Sequence, residues 1–78
     1  MPHGIFNWTF NDVVRFLKDH NFSLNYIEGS HYFYVGSYKG SFRQVCVPFH
    51  GVKSINPKTI GGIIGQSGIP KEEWLRKK

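Results

Sequence analysis

Of the residues in this chain that can move a proton near neutral pH, His31 has the most defined setting. It follows Gly29-Ser30 and opens the run His-Tyr-Phe-Tyr-Val. Two strand-like runs separated by Gly-Ser signal a tight hairpin, because Gly at the first central position supplies positive φ. The spacing therefore puts His31 on the first residue of a strand, held by backbone rather than by a long loop. An imidazole titrates near neutral pH and suits general acid or base work without a cofactor. Glu28 is expected directly across the hairpin from His31, where a carboxylate favours the charged imidazolium. A histidine at a hairpin end also fits a plain surface role, and spacing alone does not separate the two.

The other candidate chemistries are weaker. His3, His20 and His50 form no i, i+4 histidine pair, and there is no His-Glu-x-x-His. Cys46 and His50 lie four apart, but Pro48 stands between them and no further ligand is near, so no metal site is expected. Asp12, Asp19, Glu28, Glu72 and Glu73 are the only carboxylates; their scatter does not supply the cluster a two-metal nuclease needs. Gly61, Gly62 and Gly65 lack a Lys-Ser/Thr ending and fall inside an expected helix rather than before it, so no phosphate-binding P-loop is expected. His50, Lys53 and Lys58 flank a helix start at Asn56-Pro57, where N–H groups and the helix dipole favour an anion. With Arg43 on a preceding strand they form a candidate phosphate-binding edge; a solvated loop with scattered lysines is the simpler alternative. Tyr26, Tyr32, Phe33, Tyr34 and Tyr38 offer rings on which bases stack, although a small domain needs most of them as core.

The elements that must position these groups follow from periodicity. The chain has 78 residues, which is one small domain over 1–78. Lys and Arg exceed Asp and Glu by 10 to 5, giving +5, a balance that attracts polyanions. The lone Cys46 excludes an internal disulfide and suits a reducing cytoplasm. No apolar run reaches membrane-helix length, and no basic patch leads into an apolar stretch near the N-terminus. Thr9 and Asp12 have capping-box spacing. Phe10, Val13, Val14 and Leu17 then recur at helical intervals. Asn21 suits the left-handed conformation that ends a helix, with Phe22 folding back onto the last turn. Strands are expected over 23–28, 31–35 and 42–47, with a second turn over 36–41 and Pro48 as terminator. Val45 and Val47 share one face of the third strand, Gln44 and Cys46 the other. Which parity of the second strand is buried stays open: His31, Phe33 and Val35, or Tyr32 and Tyr34.

A second helix follows Asn56-Pro57, carries Ile60, Ile63 and Ile64 on its apolar face, and stops at Gly68. Gly61, Gly62 and Gly65 weaken it, and close packing against the sheet or a partner is the expected reason. Residues 70–78 form a possible short helix anchored by Trp74 and Leu75. The fold class is α+β: α-β-β-β-α, a three-stranded antiparallel sheet with helices on one face.

Several segments together resemble the HicA toxin family. They are Leu17-Lys18-Asp19-His20-Asn21-Phe22, Gly29-Ser30-His31, Val45-Cys46-Val47-Pro48-Phe49-His50, Ile55-Asn56-Pro57-Lys58-Thr59-Ile60 and Ser67-Gly68-Ile69. Gly-Ser-His alone is a weak tripeptide; followed in order by Val-Pro-x-His and a Pro-x-Thr-Ile helix start, it is fairly specific. The resemblance spans roughly residues 10 to 75 and implies a fold similar to a double-stranded-RNA-binding domain. It implies a small cytoplasmic toxin that cleaves mRNA and is held inactive by a HicB antitoxin covering the active-site histidine. That histidine corresponds to His31, with Gly29 and Ser30 as the matching motif residues. The sequence departs from the family pattern at Glu28, a position that is often basic, at the glycines of the second helix, and in its longer N-terminal stretch with Phe6 and Trp8.

On this reading the protein is a metal-independent endoribonuclease with His31 as general acid or base and no cofactor. Arg43, His50, Lys53 and Lys58 would hold the RNA. The alternatives are a non-catalytic RNA-binding module of the same fold and a protein-interaction domain.

Overall fold

The computed structural model describes residues 7–49 and 51–77. His3, Phe6 and His50 lie outside the described residues. The chain runs α1 (Phe10–Asp19), β1 (Ser23–Glu28), β2 (His31–Tyr38), β3 (Ser41–Pro48), α2 (Pro57–Ser67) and α3 (Lys71–Lys77). This is the expected α-β-β-β-α order followed by the short C-terminal helix. The sheet is antiparallel, in the order β1-β2-β3.

The capping box opens α1. The Asp12 N–H donates to Thr9 Oγ1 at 3.2 Å and the Thr9 N–H to Asp12 Oδ2 at 3.0 Å. Two otherwise orphaned helix-start donors are thereby satisfied. The buried face is Phe10, Val13, Phe16 and Leu17, with Val14 only partly covered. The apolar stripe thus leans toward Phe16 rather than Val14, because Trp8 and Trp74 close around the Phe16 ring. Asn21 takes φ 68°. Phe22 then donates its N–H back to Leu17 O at 2.9 Å and buries its ring.

The second strand is longer than its sequence suggests. It continues through Gly36 to Tyr38, and the turn is only Lys39-Gly40, with φ of 50° and 85°. Two consecutive positive φ values make the type I′ turn whose twist matches a hairpin. Gly36 is therefore a strand residue, opposite Arg43. A Cβ there would stand 2.7 Å from Phe22 Cγ, so the missing side chain is what lets Phe22 seat on the sheet. The third strand also extends by one residue at each end; Pro48 is tolerated because β3 is an edge strand.

The parity left open by the sequence is settled by burial. Tyr34 faces inward with Val45 and Val47, and Tyr32 is partly covered beside them. His31, Phe33 and Val35 face the opposite side, where Phe42 is 71% exposed. The helices pack on the Tyr34 face, α1 and α2 chiefly against β3. All six residues of β1 are exposed.

Asn56 caps α2 by accepting the Lys58 N–H at 2.8 Å, and Gly68 ends it at φ 74°. Ser67 is fully buried; its Oγ donates to Ile64 O at 2.7 Å and accepts the Ile69 N–H at 3.0 Å. In α3, Trp74 is fully buried, stacked on Phe16 at 3.8 Å and edge-on to Trp8 at 5.4 Å. Leu75 is 40% exposed and is no anchor. Its position one residue past Trp74 turns it about 100° round the helix, away from the core. The expected packing of Gly61, Gly62 and Gly65 against the sheet is also absent. All three are exposed, and a Cβ built on any of them meets nothing within 4 Å.

Candidate active site

The hairpin turn acts as the sequence predicts. Gly29 has φ 61° and leads through Ser30 into β2, where His31 is the first residue. The turn is tied down from the far side: Phe49 N–H donates to Ser30 O at 2.8 Å, continuing the pairing beyond Pro48. His31 is thus held on one flank by Glu28, its register partner on β1, and on the other by Pro48 on β3. Its side chain is exposed. Glu28 makes no ion pair with it among the described residues.

His31 lies on an open cleft of about 400 Å³ lined by Ser30, His31, Cys46, Pro48, Thr59, Ile63 and Gln66. Three of these come from α2, at i, i+4 and i+7, the spacing of one helix face. The helix therefore supplies one wall, and the ends of β2 and β3 supply the other. A hydrogen bond joins the walls: Cys46 N–H donates to Gln66 Oε1 at 2.8 Å. Because β3 is an edge strand, this donor has no strand partner, and the glutamine amide takes that place. Burial pushes the Cys46 thiol above its ordinary range, which keeps it protonated and unreactive at neutral pH.

The remaining expected site residues fall in different places. Gly29, Ser30, His31 and Glu28 are together at the hairpin. Lys58 sits in the first turn of α2, next to the cleft residue Thr59, and is exposed. Its backbone N–H is already spent on Asn56, and Pro57 has none. The α2 start therefore has fewer free donors for an anion than its sequence suggests. Lys53 is exposed in the loop before α2. Arg43 is not brought to the cleft. It pairs with Gly36, five residues along β3 from Pro48, or about 17 Å. Its guanidinium lies over Gly68, where a glycine Cβ would meet Arg43 Nε at 2.7 Å.

Thr59, Ile63 and Gln66 escaped the sequence reading. Their i, i+4, i+7 spacing was available, but nothing in the sequence says which helix face turns toward His31. Tyr34 is core, and burial, aided by Tyr32, raises its hydroxyl pKa. Tyr26 and Phe33 instead stack on each other at 4.4 Å and 11° on the His31 side of the sheet, two rungs from the Glu28–His31 pair. Among the described residues no three His, Cys, Asp or Glu side chains gather as a metal-ligand set. No helix among them is long and apolar enough to cross a membrane.

A family model described as HicA toxin of bacterial toxin-antitoxin matches residues 10–69. The chain belongs to the HicA toxin family. No curated protein and no solved structure is a significant match. The HicA match begins with α1 and ends at Ile69, so every cleft residue from Ser30 to Gln66 lies inside it. Helix α3, with its buried Trp74, lies beyond it. As a HicA-family protein the chain is assigned to the toxin side of toxin–antitoxin systems.

Proposed function

We propose that this HicA-family toxin is a metal-independent endoribonuclease that cleaves mRNA at the His31 cleft. The observation that carries the reading is an exposed imidazole, fixed by a two-residue turn, on the rim of a cleft with hydroxyl and amide groups opposite it. The reaction needs one proton taken and one given. The ribose 2′-oxygen attacks the adjacent phosphorus and loses its proton, the P–O5′ bond breaks, and the leaving 5′-oxygen gains a proton. The products are a 2′,3′-cyclic phosphate and a free 5′-hydroxyl. His31 serves as general base or acid in this exchange. Ser30 and Thr59 line the same cleft, and Lys53 and Lys58, both exposed near the start of α2, hold the strand beside it. A HicB-like antitoxin silences the toxin by covering His31. The cytoplasm, where mRNA is, is the place of action.

The test compares the wild-type chain with His31→Ala, both for growth arrest and for cleavage of a purified RNA in EDTA. The expected result is cyclic-phosphate ends from wild type and a rate lower by about 10²–10⁴-fold in the variant. Cleavage unchanged by the substitution would overturn the assignment. The open Tyr26–Phe33 stack favours a second reading, a non-catalytic RNA-binding module. That reading predicts salt-dependent RNA affinity, equal in wild type and variant, with no cleavage by either.

A further inference from the structure

Gln66 carries a hydrogen-bond donor that the fold leaves over. A glutamine amide offers one carbonyl oxygen and two N–H donors. Here the oxygen end is assigned by its partner. The Cys46 backbone N–H can only donate, so the atom 2.8 Å from it is Oε1. Nε2 is then the other end of the amide, and among the described residues it donates to no protein group. The same side chain lines the cleft that holds His31, Ser30 and Thr59. The amide is therefore tied at one end to the sheet edge, on a side chain that lines the cleft, with its donor end left for a ligand.

We infer that Gln66 is a substrate-contacting residue, whose Nε2 donates to a non-bridging phosphoryl oxygen of the phosphodiester held at His31. This rests on the RNA-cleavage reading above and adds to it the group that meets the phosphoryl charge. Negative charge grows on the non-bridging oxygens as the 2′-oxygen adds to phosphorus. A donor already oriented needs no reorganisation when that happens. Lys53 and Lys58 are poorer candidates, because each charge rides on a long exposed stem with no bond fixing it among the described residues. Gln66 loses little rotamer freedom on binding, since its bond to Cys46 has already restricted it.

Two variants separate this role from a purely structural one. Gln66→Glu keeps an oxygen for the Cys46 N–H but removes the donor; Gln66→Ala removes both. Rates are compared at the plateau of each variant's pH profile, so that a shifted His31 titration does not pass for lost catalysis. Because Gln66 is solvent-exposed, the expected loss in kcat is about 10–10²-fold for both, below the 10²–10³-fold of a sequestered oxyanion donor. Gln66→Glu is expected to keep the wild-type thermal midpoint and slow exchange of the Cys46 amide. A structural role predicts the reverse pattern: Gln66→Glu cleaves within threefold of wild type and only Gln66→Ala is impaired. That result overturns the inference.

An uncleavable oligonucleotide with a 2′-deoxy residue at the scissile position gives a readout independent of cleavage. On titration, the side-chain NH₂ resonances of Gln66 should move, and Gln66→Glu should weaken binding at least several-fold. Moved resonances and weakened binding in a chain that does not cleave RNA would sink the nuclease reading while keeping the Gln66 phosphate contact. Unmoved resonances with unchanged affinity would sink the contact itself.

Discussion

Replacing Gly61, Gly62 and Gly65 together by alanine should make the protein more stable, a result opposite to that expected of helix glycines conserving a tight contact. The three lie inside α2, and a Cβ at each meets nothing within 4 Å. The substitution therefore adds no clash and removes only the backbone freedom that glycine gains on unfolding. Each Gly→Ala change at an exposed helix interior is worth about 0.8–1 kcal/mol. Helix propensities sum along a helix, and a Cβ at each site meets no other group, so the three together should give about 2–3 kcal/mol. A chain of this length has a total stability of about 4–12 kcal/mol, so the gain is large, about 10–20 °C in Tm. Gly68, one residue past the same helix, supplies the control. It has φ 74° and its Cβ would meet Arg43 Nε at 2.7 Å. Gly68→Ala should cost about 1–2 kcal/mol, the penalty of a left-handed non-glycine residue. Urea denaturation followed by far-UV circular dichroism reads both variants against wild type. A triple variant no more stable than wild type would refute the claim that these positions face open space, and a Gly68→Ala protein that is equally stabilised would refute the cost assigned to positive φ at Gly68.

Trp74→Ala should cost about 3–5 kcal/mol, because the ring is fully buried between Phe16 and Trp8. Leu75→Ala on the same short helix should stay within about 0.5 kcal/mol; chemical denaturation of the pair shows whether α3 is held by the one side chain. Stability should also fall on the alkaline side of about pH 9. Burial raises the pKa of both Cys46 and Tyr34. The folded chain then holds protons that the unfolded chain releases, so stability is full below the ordinary values and declines as pH rises through the raised ones. Tyr34→Phe should flatten part of that decline, measured as Tm against pH; an unchanged slope would show that burial of this hydroxyl is not responsible.

Much of the architecture was written in local signals. Thr9 and Asp12 marked the start of α1, Asn56-Pro57 the start of α2, and Gly68 its end, because caps are satisfied within a few residues of themselves. Gly29-Ser30 put His31 at a hairpin bend for the same reason: a turn is a local solution to backbone geometry. Gly36 misled, since its lack of a side chain answers to Phe22, a partner fourteen positions away, and glycine in a turn looks the same in sequence. Lys39 misled in the opposite sense, being a lysine at φ 50°.

The chain itself thus specified the histidine, its bend, the order of elements and the excess of positive charge. Long-range packing chose the rest: which parity of β2 turned outward, that Arg43 leans over Gly68 instead of joining His31, and that Thr59, Ile63 and Gln66 form the opposite wall. Each of those outcomes depends on how α2 is rotated and seated against β3. That rotation is set by burial of Ile60 and Ile63 summed over the whole core, a quantity no short stretch of residues contains.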